Sequence, residues 1–108
     1  MNLEQKVIDW ATDKGILHQF DTEDERVHCQ IKQWGKMQEE VQELEVAIHM
    51  KDTPASIDEL GDVIVTAIIQ ANLIGVSLDE CLQVAYDKIA KRKGTMVDGV
   101  FVKEGGYE

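Results

Sequence analysis

Wound at about 100° per residue, the stretch from residue 23 to about 50 separates into two stripes. Ile31, Trp34, Met37, Val41, Leu44 and Ile48 gather on one side, while Lys36, Glu40 and Glu43 form another, with Glu39 on its outer edge. The pattern predicts a long amphipathic helix, and Thr22 with Glu25 three residues on reads as the capping box that opens it. A second long helix is expected from Thr53, as cap, through Pro54 in its first turn to Gly75. Ile57, Leu60, Val63, Ile64, Val65, Ala67, Ile68, Ile69 and Ala71 leave it little polar surface, so burial on most sides is expected. Its polar positions Glu59, Asp62, Thr66 and Gln70 fall in one stripe. The short connection between the two helices makes them antiparallel neighbours, which lets the acidic stripes face each other.

Shorter elements flank this pair. Val7, Ile8, Trp10 and Ala11 predict a helix over about residues 3 to 14, stopped at Gly15 and followed by a loop carrying His18. Ser77 with Glu80 is a further capping box, and Leu78, Leu82, Ala85 and Ile89 supply the apolar side of a fourth helix. Asp98-Gly99 between two apolar runs is a short-hairpin signature, compatible with a small hairpin or an extended arm across a neighbouring subunit. The class is all-α, in a single domain over residues 1–108 with no internal repeat or linker.

The two acidic stripes carry the candidate chemistry. A Glu-Glu-x-x-Glu run on a helix is ordinarily a solvated face. Glu59 and Asp62 shift that reading, because they stand one turn apart on the most apolar helix of the chain. Buried unpaired carboxylates cost several kcal/mol each or take up a proton, and Lys36 alone neutralises too little. Glu40, Glu43, Glu59 and Asp62 would together suit a hard divalent cation, Mg²⁺ first and Mn²⁺ as the alternative.

The chain holds 21 acidic and 11 basic residues among its 108, a net charge of −10. That balance argues against nucleic-acid polymers or anionic membranes as partners. So apolar a helix in so short a chain also calls for cover by a second subunit. Cys29 and Cys81 form no Cys-x-x-Cys pattern and the N-terminus lacks a signal-peptide layout, so reduced thiols in the cytoplasm are expected, the host's if the chain is phage-encoded. The run from Val63 to Val76 is too short to span a bilayer.

In this acidic chain the fourth helix ends in Lys88-Ile89-Ala90-Lys91-Arg92-Lys93-Gly94. Cations there complement the helix dipole with Gly94 as the cap. Lys88 and Arg92, four apart, also point the same way and form the best grip for phosphate oxygens. Trp10 and Trp34 lie on apolar sides and are expected in the core, while His18, His28 and His49 are given no role.

Lys36-x-x-Glu39-Glu40-x-x-Glu43 followed by Glu59-x-x-Asp62, and then by a basic fourth helix, resembles the MazG-like nucleotide pyrophosphohydrolases of the all-α NTP pyrophosphatase superfamily. The likeness runs from about Gln33 to Arg92. It implies a four-helix bundle-like fold completed as a homodimer or homotetramer. It also implies Mg²⁺-dependent hydrolysis of a ribo- or deoxynucleoside triphosphate between the α and β phosphates. By position, Glu40, Glu43, Glu59 and Asp62 match the family's metal ligands. Glu39 matches the adjacent acid, which binds a further metal or helps activate the attacking water, with Glu40 catalytic beside it. Lys88, Lys91 and Arg92 match phosphate-binding positions, with Lys36 assigned to the substrate as well. Tyr86 stands where many relatives carry Asn, a departure that bears on sugar or base contacts.

Two other readings compete. A di-iron carboxylate bundle needs two Glu-x-x-His pairs, and this chain has only Glu25-Arg26-Val27-His28, far from the other acids. A non-catalytic interaction module, or a nucleotide or metal sensor, would account for the apolar surface but not for the complete acid set.

Overall fold

The computed structural model describes residues 2–105; Met1 and residues 106–108 lie outside it. The chain forms two compact units, one up to Leu78 and one from Asp79 onward. The first contains α1 (Leu3–Asp13), α2 (Glu23–His49) and α3 (Thr53–Ile74), and α4 (Leu78–Ile89) opens the second. A hairpin of β1 (Gly94–Val97) and β2 (Val100–Lys103) completes the second unit.

Side chains short enough to reach back onto free N–H groups define the helix starts. Asn2 accepts from Gln5 N–H at 2.8 Å, and Thr22 accepts from Glu25 N–H at 3.1 Å. The Glu25 carboxylate reaches past Thr22 to accept from Asp21 N–H at 3.1 Å, so the box closes one residue earlier than its sequence signature. At α3 the cap is Asp52 and not Thr53: its carboxylate accepts from Ala55 N–H at 3.0 Å and Thr53 becomes the first helical residue. Gly75, at φ +103°, closes α3 in the left-handed conformation that glycine adopts without a Cβ penalty.

The core of the first unit is Ala11, Ile69 and Leu73, with Leu17, Phe20, Cys29 and Val65 packed around it. Along α2 and α3 the shared seam is largely polar. Gln33 Nε2 donates to Thr66 O at 3.1 Å, Gln70 Nε2 to Gln30 O at 2.9 Å, and Gln30 Nε2 to Leu73 O at 3.0 Å. Rising residue numbers on α2 meet falling numbers on α3, which makes the pair antiparallel as expected.

The seam sets the polar stripe of α2 against α3, as the antiparallel pairing allows. Most of the apolar stripe of α2 is left uncovered: Ile31, Trp34, Val41 and Ile48 are 62%, 56%, 50% and 57% exposed, while Met37 and Leu44 are half-buried. Burial on α2 falls instead on Glu40 and Ala47, on the face that also carries Gln33. A single neighbouring helix covers one stripe only, and here hydrogen bonds to backbone carbonyls draw in the polar one. Burial of α3 is accordingly confined to Thr66, Ile68, Ile69, Ala71 and Leu73, while Ile57, Leu60 and Ile64 remain exposed. Trp10 and Trp34, expected in the core, are exposed as well.

In the second unit α4 ends at Ile89, and Gly94 belongs to β1 and is not a helix cap. Asp98 and Gly99 have φ of 50° and 80°, as a two-residue type I′ turn requires, so the hairpin alternative is the one adopted. Gly94 pairs with Lys103. A Cβ at Gly94 would collide with the Val102 carbonyl oxygen, Phe101 Cζ and Lys103 Cα, so the two strands close only on glycine. Among the described residues no single helix is long and apolar enough to cross a membrane.

Candidate metal centre

Antiparallel pairing in the register of the glutamine seam brings one turn of α2 against the first half of α3. Carboxylate oxygens of Glu40, Glu43 and Glu59 lie within 4.8 Å of one another, and oxygens of Asp58, Glu59 and Asp62 do the same. Glu59 belongs to both groups. Three of the four expected ligands, Glu40, Glu43 and Glu59, therefore converge, and Asp62 is linked to them through Glu59 together with Asp58. That residue was passed over in the sequence although it precedes Glu59 and stands one turn before Asp62, a spacing that places both on one helix face.

Glu40 is the most enclosed of these acids, 8% exposed. Lys36 Nζ stands 3.2 Å from Glu40 Oε1 and 3.8 Å from Glu39 Oε2. Glu39 lies outside both carboxylate groups, with its side chain exposed at the edge of the cluster. Glu40 Oε2 and Glu59 Oε2 are buried and accept no hydrogen bond. Buried carboxylate oxygens left this way carry a desolvation cost that a cation between them would offset.

The titration of the cluster reflects its crowding. The Glu43 carboxyl is raised above the usual range, first by its hydrogen bond to Glu59 and then by the charge of Glu40. Asp62 is raised chiefly by desolvation, then by the charges of Asp58 and Glu40, with Lys36 opposing. The Lys36 ammonium is raised in turn, first through its hydrogen bond to Glu40 and next by the charge of Glu39. One lysine thus answers a cluster in which Glu43 and Asp62 hold protons more tightly than isolated carboxyls do. An all-oxygen donor set with surplus negative charge fits a hard divalent cation.

The expected phosphate grip lies in the other unit. Lys88 is in the last turn of α4, but Lys91 and Arg92 follow its end, where Arg92 N–H turns back onto Ile89 O at 3.0 Å. Lys88 and Arg92 therefore do not share a helical face. The turn nevertheless brings Lys88, Lys91 and Arg92 to the wall of one cavity. Tyr86 is exposed on α4. His18 keeps to its loop, with Nδ1 3.2 Å from Gly15 O and its ring 4.4 Å from that of Phe20.

The family model described as the MazG nucleotide pyrophosphohydrolase domain matches residues 31–97, which span α2 from Ile31, α3, α4 and β1. No curated protein and no solved structure matches the chain.

Proposed function

The chain belongs to the MazG nucleotide pyrophosphohydrolase family, and we propose that it hydrolyses a ribo- or deoxynucleoside triphosphate between the α and β phosphates, releasing the monophosphate and pyrophosphate. The observation that carries the metal-dependent part of this reading is the convergence of Glu40, Glu43 and Glu59 oxygens within 4.8 Å, with one oxygen each of Glu40 and Glu59 buried and unbonded, while the bond cleaved is taken from the family. Glu40, Glu43, Glu59 and Asp62 would hold Mg²⁺ or Mn²⁺. Such an ion, when bound, neutralises phosphate charge and lowers the pKa of water.

The chain's own groups divide the remaining work. Glu39, exposed beside the cluster, is suited to accept the proton of the attacking water. Lys36, 3.2 Å from Glu40 Oε1, is the cation beside the acids able to meet a phosphate oxygen. In the second unit, Lys88, Lys91 and Arg92 carry N–H donors suited to phosphate oxygens. Water is the nucleophile of this reading, and positioned charge the means of catalysis.

A second copy of the chain is the proposed cover for the exposed Ile31, Trp34, Val41 and Ile48 stripe, as a homodimer or a homotetramer built from dimers.

The test is product analysis with each common ribo- and deoxynucleoside triphosphate and Mg²⁺. Monophosphate with pyrophosphate is the expected result, and the fastest substrate names the base. Diphosphate with phosphate would keep a metal hydrolase and overturn the bond assignment. No turnover in folded, metal-loaded protein would favour the non-catalytic module.

A further inference from the structure

Lys88, Lys91, Arg92, Lys93 and Lys103 are every lysine and arginine from Asp79 onward, and all of them line one cavity of about 370 Å³. Glu104 and Gly105 complete its wall. In a chain of net charge −10 this is a local inversion of sign. The inversion depends on the hairpin, because two of the cations flank its open end.

The backbone shows how they are brought there. The strand register pairs Gly94 with Lys103, and the Glu104 N–H donates to Lys93 O at 2.6 Å, one step beyond that pair. Lys93 and Lys103 are thereby tied across the ladder, immediately after the turn that carries Lys91 and Arg92. The missing Cβ of Gly94 makes the approach possible, since Phe101 Cζ would lie 2.7 Å and Lys103 Cα 2.8 Å from it. Arg92 and Lys103 are half-buried and Lys88, Lys91 and Lys93 exposed, so the cations form a wall open to solvent.

We propose that this cavity is a polyphosphate site whose second wall, Lys93 and Lys103, is supplied by the hairpin. A carboxylate or a single phosphate has too few oxygens to engage so many donors, whereas a di- or triphosphate chain presents matching charge along its length. The proposal rests on the reading of Lys88, Lys91 and Arg92 as phosphate-binding, but requires neither a metal nor hydrolysis. The same chemistry is offered by the tail of a nucleoside triphosphate and by free inorganic polyphosphate.

The experiment is titration calorimetry on the full chain in EDTA at low salt, with inorganic tripolyphosphate, a nucleoside triphosphate and the corresponding monophosphate as separate probes. Tripolyphosphate is expected to bind far more tightly than the monophosphate and to weaken steeply with added salt. The Lys93→Gln, Lys103→Gln double variant should lose at least about tenfold in tripolyphosphate affinity, with its helical circular dichroism retained. Lys6→Gln on α1 should lose nothing. Glu104→Gln should tighten binding by removing the acid from the wall. Equal loss of affinity for tripolyphosphate and the nucleoside triphosphate would identify the nucleotide tail as a ligand, and loss for tripolyphosphate alone would identify free polyphosphate. Absence of tripolyphosphate binding, or a double variant that binds as Lys6→Gln does, would overturn the proposal. Hydrolysis is scored separately with Mg²⁺, so polyphosphate binding without turnover sinks the enzymatic reading and leaves this one standing.

Discussion

Lys36 Nζ lies 3.2 Å from one oxygen of Glu40, while the other oxygen of that carboxylate is buried without a hydrogen-bond partner. The lysine satisfies half of the group. Glu59 repeats the condition from the facing helix with its own unbonded Oε2. A carboxylate pair held this way stores repulsion when no cation lies between its members, and the consequences are measurable.

Removing one charge from the cluster should relieve that repulsion and lose the site. Glu59→Gln keeps the side-chain shape, so the metal-free melting temperature is expected to hold or rise. In the wild type, Mg²⁺ or Mn²⁺ at about a hundred times Kd should add roughly 2.7 kcal/mol of stability. The variant should show no such increment, and its turnover should fall at least about 100-fold, since loss of a mere partner to a metal ligand already costs about 10- to 100-fold in affinity or activity. An undiminished metal shift in the variant would remove Glu59 from the site.

Stability without metal should depend on pH with a defined sign. Glu43 and Asp62 are both raised in the folded chain, so between the ordinary carboxylate values near roughly 4 and their raised values the native state holds protons that the unfolded chain has lost. Their contribution is therefore fully present at low pH and is lost as pH rises through that window. Melting temperatures in EDTA should carry this downward component with rising pH, and the Glu43→Gln, Asp62→Asn double variant should flatten it. Identical profiles for variant and wild type would contradict the assignment.

The glutamine seam sets the register on which the acid cluster depends. Gln33→Ala removes the donor to Thr66 O and should cost about 1 kcal/mol in chemical denaturation. Because the same register aligns Glu40 with Glu59, metal affinity measured by calorimetry should fall too. Full metal affinity in a destabilised variant would confine the seam to a structural role.

The exposed stripe of α2 predicts association. Sedimentation velocity of the wild type should give the mass of two or four chains. Trp34→Glu, which places a charge on a residue already 56% exposed in the single chain, should dissociate it with helix content unchanged. A monomeric wild type would end the second-copy proposal.

Much of this architecture was legible in the sequence because it is local. Helix limits follow from caps and stop signals within a few residues of each end, and Asp98-Gly99 specified its turn because both residues tolerate positive φ. The spacing of Glu40 with Glu43 and of Glu59 with Asp62 likewise fixes which acids share a face, whatever surrounds them. The choice between neighbouring cap candidates, Asp52 over Thr53, was already beyond it, since both side chains suit the role and only the backbone path selects one. Periodicity describes a stripe relative to its own helix axis and contains no information about which stripe meets another helix. Tertiary structure decided that the polar stripe of α2 faces α3, through side-chain bonds to the backbone of residues far away in the chain. It thereby left Trp34 outside, enclosed Glu40, and brought Glu59 to the acids of α2.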